Sequence, residues 1–197
     1  MSKTSLKKEL LNMDKNQLVE LILDVYCARK EGKEYFEFFL DPDVAKLQDK
    51  YEQAVSKEFN RVKRGYCKAR ISVLKNQLKE FASFQPGYEA EINLMLFVVR
   101  YALLVESHIH FPDTLLRGVA VIMRRLVEVA NSNYVADTTL ERLGAMLSDS
   151  KLGSRYFRRY LSDELASCLA EAAPDVKSRC CLSRHKVACQ RAICDGK

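Results

Sequence analysis

The run EINLMLFVVRYALLVE, Glu91 to Glu106, decides the fold. Between Ile92 and Val105 only Asn93 and Arg100 are polar, and the other twelve positions are apolar. An apolar pattern that continues almost all the way round a helix requires burial on most sides. The stretch is therefore expected to be the central helix of a domain, with the other segments packed against it. It is no membrane span, because such a helix needs about 20 apolar residues and Arg100 interrupts this one midway.

Outward from this helix, the chain reads as further helices. Thr4 or Ser5 caps a short opening helix to about Met13. Asp14-Lys-Asn-Gln17 then has the form of a capping box, and Leu18, Leu21, Ile22 and Val25 repeat at helical spacing as one buried face. The aromatic run Tyr35 to Leu40 lies between helical patterns with no partner strand and is read as a helix end that anchors its aromatics in the core. Asp41-Pro42 restarts a helix, whose stripe is Val44, Leu47, Tyr51, Val55, Phe59 and Val62. Gly65 breaks or bends it before Tyr66 to Phe84 continues, and Gln85-Pro86-Gly87 turns into the central helix.

Beyond it, Phe111-Pro112-Asp113 ends the central segment and caps a helix with Leu115, Val119, Ile122, Leu126 and Ala130 inward. Asn131 to Asn133 is a loop, and Thr138-Thr-Leu-Glu141 is a second capping box. Tyr156, Phe157, Leu161 and Leu165 mark a helix that stops at Pro174. The fold class is all-α: about eight helices packed as antiparallel hairpins, a bundle or a short superhelical stack, with no strand. Residues 1–174 form a single helical domain and residues 175–197 a basic, Cys-rich tail.

The composition, 48% hydrophobic and 29% charged, is that of a globular protein long enough to bury a core. The N-terminus turns amphipathic at once and lacks an apolar signal-peptide core, so a cytoplasmic location is expected. The net charge of +6 is localised. Residues 57–79 carry +7 and residues 177–197 carry +5, on a body that is slightly acidic elsewhere. Localised charge says more about partners than the total does. Seven cysteines without an export signal are read as free thiols.

Read as one helix, the first basic stretch places Lys57, Arg61, Arg64, Lys68, Lys75 and Lys79 within a sector of roughly 60°. Such a line of cations suits a phosphate backbone, each neutralised phosphate releasing a counterion; the competing reading is a solvated helix face. Arg70 falls toward the apolar side, and Arg100 sits with Asn93 and Ser107 in one polar seam of the central helix. Both arginines line an anion pocket, or both are tied to acids such as Glu37, Glu91 or Glu106, since an unpaired buried charge is costly. His108 and His110 would share a face for a metal only in an extended segment, and at a helix end they diverge. In the tail, Cys181, His185, Cys189 and Cys194 are the zinc-like candidates, with Cys180 beside them. Cys181 and Cys189 would stand about 12 Å apart on a helix, too far for one ion, so a folded loop is required. No phosphate-binding Gly-rich loop, H-E-x-x-H or nucleophile elbow is present.

Several short motifs together resemble a known family. They are Thr4-Ser5-Leu6-Lys7-Lys8-Glu9-Leu10, the Leu18 to Tyr26 helix, the Phe38-Phe39-Leu40-Asp41-Pro42 corner, Lys68-Ala-Arg-Ile-Ser72 and Leu94-Met-Leu-Phe97. Over residues 4–165 the chain resembles an uncharacterised bacterial all-helical family, domain of unknown function 6155. The resemblance implies an all-helical cytoplasmic protein, supplies no activity or site, and does not extend to the Cys-rich tail. The leading expectation is a non-enzymatic protein-interaction module that engages a protein partner through a helical face. The alternatives are sequence-independent nucleic-acid binding through residues 57–79 and metal binding through the tail; an enzyme at Arg70 and Arg100 or at the histidines comes last. No membrane partner is expected, and no cofactor beyond zinc in the tail.

Overall fold

The first three helices, α1 (Lys3–Asn12), α2 (Lys15–Ala28) and α3 (Lys30–Leu40), contain no buried residue. The computed structural model describes residues 2–171. Ser2, rather than Thr4 or Ser5, caps α1 by accepting from the Ser5 amide at 3.2 Å. The expected capping box opens α2: Asp14 accepts from the Gln17 amide at 2.8 Å, and Gln17 accepts from the Asp14 amide at 3.0 Å. The aromatic run is indeed the end of a helix, α3, but it does not anchor in the core as a whole: Phe38 packs against the core while Tyr35, Phe39 and Leu40 are exposed. The face of α2 read as buried is not covered: Leu21, Ile22 and Val25 are all exposed.

From α4 (Val44–Phe59) onward the chain builds its core. Asp43, not Asp41, caps α4 by accepting from the Lys46 amide at 2.9 Å, so Pro42 lies ahead of the cap. The expectation of a helix bent at Gly65 is corrected. Between α4 and α5 (Ile71–Ser83) stands a small antiparallel hairpin of β1 (Val62–Lys63) and β2 (Tyr66–Cys67), with Val62 opposite Cys67 and Lys63 opposite Tyr66. Its two turn residues, Arg64 (φ 54°) and Gly65 (φ 79°), both have positive φ. That is the backbone a two-residue hairpin of the primed type requires.

The helix α6 (Tyr88–Glu106) is the centre of the molecule, with ten buried residues from Ala90 to Val105. Gly87 precedes it at φ 100° and offers no side-chain cap; Glu89 and Glu91 in the first turn complement the helix dipole instead. Against α6 lie α4, α5, α7 (Asp113–Ser132) and α8 (Ala136–Ser148). Residues 155–171 form a last helix, α9, which makes nine helices and one hairpin among the described residues.

The expected second capping box is absent. Thr138 and Thr139 lie inside α8 and donate their hydroxyls back to the Val135 carbonyl. The cap that matters sits further on. Ser154 accepts from the Phe157 amide at 3.1 Å, while its own hydroxyl and amide donate to the two carboxylate oxygens of Glu106. The end of α6 thereby holds the start of α9. Phe59, Phe111 and Phe157 meet at the base of the core, the first two stacked at 6.0 Å between ring centres. A smaller cluster of Leu47, Tyr51, Phe81, Ala90 and Leu94 receives Phe38 from α3, the main apolar anchor of the N-terminal helices.

Candidate functional site

The basic stretch does not form a stripe on one helix. Lys57 is in the last turn of α4, Arg61 follows it, Arg64 is at the hairpin tip, Lys68 leaves β2, and Lys75 and Lys79 are on α5. The helical-wheel alignment fails because the eleven residues from Asn60 to Arg70 are not helical. The charge has been regrouped rather than dispersed. Residues 61–66 are all exposed, so the hairpin carries Lys63 and Arg64 outward with Tyr66. Lys68 Nζ lies 5.8 Å from the centre of the Tyr66 ring, and that ring meets His110 edge-on at 5.2 Å.

The hairpin is tied down at its base. The Cys67 amide donates to the His110 carbonyl at 3.0 Å, and the Lys68 amide to the Arg61 carbonyl at 2.7 Å. Cys67 is fully buried, and its thiol donates to the Phe59 carbonyl. Burial pushes this thiol up, which leaves it protonated and makes it a packing group.

Glu58 closes the same base. It is buried, and its Oε1 accepts from Arg61 Nη1 at 2.8 Å, from the Arg70 amide at 2.9 Å and from Arg70 Nε at 3.0 Å. Burial alone would push the carboxyl up, but the hydrogen bonds from Arg70 and Arg61 outweigh it and hold Glu58 at about 2. Arg70 is therefore paired, as one of the two readings expected, although its acid is Glu58 and none of the three named in advance.

Arg100 is exposed and has no ion pair among the described residues. Its expected companions are used elsewhere: Asn93 accepts from Arg142 Nη1 at 2.8 Å and ties α6 to α8, and Ser107 donates to the Leu104 carbonyl. Neither Arg70 nor Arg100 lines the clefts at α4 and α6, at α5, α6 and α7, or at α3 and α4. Lys57 lines one of them, an open groove with Asp49 and Glu52. Lys75 and Lys79 line another, between α5, α6 and α7.

His108 and His110 are both exposed after the end of α6. Among the described residues no group of three or more His, Cys, Asp or Glu is arranged to hold a metal ion. The tail candidates Cys181, His185, Cys189 and Cys194 lie outside the described residues, as does the boundary at residue 175. No helix among the described residues is long and apolar enough to cross a membrane.

Sequence reading had no signal for one feature. The N-terminal helices leave Leu6, Leu11, Val19, Ile22, Leu23, Phe39 and Leu40 exposed. Periodicity shows where the apolar residues fall on a helix, but not whether the same chain supplies the surface that covers them.

A model of a family described as a family of unknown function (DUF6155) matches residues 1–159. No curated protein and no solved structure matches the chain.

Proposed function

The chain belongs to this family of unknown function, and we propose that it is a cytoplasmic, non-enzymatic protein-interaction module whose docking face is the α2–α3 hairpin. One observation carries the reading. Helix α2 is apolar on several sides, the pattern of a helix meant for burial, yet Val19, Leu21, Ile22, Leu23 and Val25 are each 37% to 55% exposed. Leu6 and Leu11 of α1 and Phe39 and Leu40 of α3 are exposed as well, so apolar side chains are left uncovered on all three N-terminal helices.

The partner is a second copy. The stripe Leu18, Leu21, Ile22, Val25 maps onto itself when α2 is reversed about the midpoint between Leu21 and Ile22. An antiparallel pair of α2 helices therefore offers the same stripe from both copies, as a two-fold contact demands. The same reversal sets Asp14, at the start of α2, opposite Arg29, just past its end. Two α2–α3 hairpins joined this way form a four-helix bundle.

Sedimentation equilibrium of the full chain over a range of micromolar concentrations tests the reading. A dimer is expected, and Leu21→Glu with Ile22→Glu, at the midpoint of the stripe, should convert it to a monomer whose main thermal transition is retained. A monomer at every concentration, or a dimer indifferent to the two substitutions, overturns it.

A second reading has its own observation, the exposed hairpin with Lys63, Arg64 and Lys68 around Tyr66. Cations beside an exposed aromatic ring suit single-stranded nucleic acid, by phosphate neutralisation and base stacking. Fluorescence anisotropy with a labelled oligonucleotide at two salt concentrations should show binding at low salt that Lys63→Glu, Arg64→Glu and Lys68→Glu together remove. Absence of binding at low salt eliminates it.

A further inference from the structure

The cleft between α5, α6 and α7 has a volume of about 310 Å³. Its back wall is Phe81, Met95 and Ile122, each nearly or fully buried, with Leu78 and Val129 beside them. Four charged residues complete the lining: Lys75 and Lys79 on α5, Glu91 on α6 and Arg125 on α7.

We propose that this cleft binds a medium-chain acyl anion, with its hydrocarbon chain against Leu78, Phe81, Met95 and Ile122 and its carboxylate at Lys75 and Lys79. The argument is one of size and charge. Small-molecule pockets run from about 300 to 1,000 Å³, so this one holds a single chain and not a two-chain lipid or a large ring cofactor. The walls are apolar and reach into the core, which suits hydrocarbon.

The charge at the rim is not balanced within the protein. Lys75 and Lys79 are one helical turn apart, where like charges repel, and neither has an ion pair among the described residues. Arg125 is engaged by Glu128 at 3.0 Å. Glu91 is the one acid of the lining, and burial pushes its carboxyl up against the opposing pull of Arg125. A bound carboxylate neutralises the two lysines, and charge-assisted hydrogen bonds to ammonium groups are the stronger kind.

Isothermal titration of the full chain with decanoate, below its micellar concentration, tests the proposal. One saturable site per chain is expected. Lys75→Gln with Lys79→Gln, both at the helix surface, should weaken binding by about tenfold or more, the worth of one charge-assisted contact. Replacing decanoate by decanol should cost a similar factor, and Ala82→Trp, which fills the cleft, should abolish binding while the thermal transition shows the fold intact. Decanol binding as tightly as decanoate, binding that never saturates, or lysine and Ala82 variants that bind like the parent would each overturn it.

Discussion

Glu58 and Arg70 join the two ends of the segment that interrupts the α4–α5 helical pair. Across a separation of twelve residues, Glu58 Oε1 accepts from both the amide and Nε of Arg70, and Oε2 accepts from Nη2 at 3.3 Å. Arg70 immediately precedes the first residue of α5, so the pair sets where that helix begins. The hairpin between them needs the clasp, because two residues per strand contribute few hydrogen bonds of their own.

The pH dependence follows from the sign of the shift. The Glu58 carboxyl is held at about 2 in the folded chain, below its ordinary 4.5. As pH falls the unfolded chain takes up this proton first, so the stabilisation is complete above the unfolded value and is lost between about 4.5 and 2. The shift corresponds to about 3 kcal/mol. Urea unfolding at neutral pH should therefore show Glu58→Gln less stable by about 2–4 kcal/mol, since both arginines lose a buried carboxylate. The gap between variant and parent should close as pH falls toward 2. A gap independent of pH would show that the carboxylate charge is not what holds the segment.

The hairpin turn makes a separate prediction. Gly65 is at φ 79°, a conformation an L side chain adopts only with strain. Gly65→Ala should cost about 1 kcal/mol. Arg64, also at positive φ, sits where Asn is favoured, so Arg64→Asn should stabilise by about 0.5 kcal/mol. Thermal unfolding of the two variants should move in opposite directions, and equal shifts would mean that the turn is not formed in solution.

What the sequence reveals here depends on how far apart the cooperating residues lie. The α6 pattern, the Asp14–Gln17 box and the helical end at Leu40 are local signals, and each reads correctly, whereas the burial expected of the α3 aromatics depends on distant surfaces and holds for Phe38 alone. The hairpin is local too, but strands of two residues carry no period, and the helical spacing of flanking Lys57 and Lys68 is coincidental. The signal that could have found it was Gly65 between Val62 and Tyr66, two residues of high strand propensity. The acid facing Arg70 was beyond reach because Glu58 comes near only once the hairpin folds back. For the α5 cleft, Lys75 and Lys79 were legible as a pair, whereas its apolar walls are shared among α5, α6 and α7. No helical wheel of one segment contains them.

Phe111 should be the costliest single truncation of the core base. It is buried between Phe59 on α4 and Phe157 on α9, at ring-centre distances of 6.0 and 6.1 Å. Removing its ring leaves a cavity where three segments meet and none can collapse alone. Phe111→Ala should destabilise the fold by about 3–5 kcal/mol, and Phe111→Leu by clearly less, as chemical denaturation would measure. Equal losses for the two would show that the volume filled by this side chain is not what stabilises the core base.

Gly118 on α7 makes a prediction whose sign can be reversed. A Cβ at this position would overlap the Cγ1 and Cδ1 atoms of Ile71, the first residue of α5, and approach its Cγ2 at 3.0 Å. Ordinarily Gly to Ala inside a helix gains about 1 kcal/mol from reduced backbone freedom. Overpacking against a branched side chain costs about 1–3 kcal/mol, so Gly118→Ala should be net destabilising in the parent chain. In an Ile71→Ala background the obstructing atoms are gone and only the helix term remains. The same Gly118→Ala substitution should then stabilise by about 0.5–1 kcal/mol. A double-mutant cycle by urea denaturation measures this directly. If Gly118→Ala has the same effect in both backgrounds, α5 does not pack on α7 through this pair.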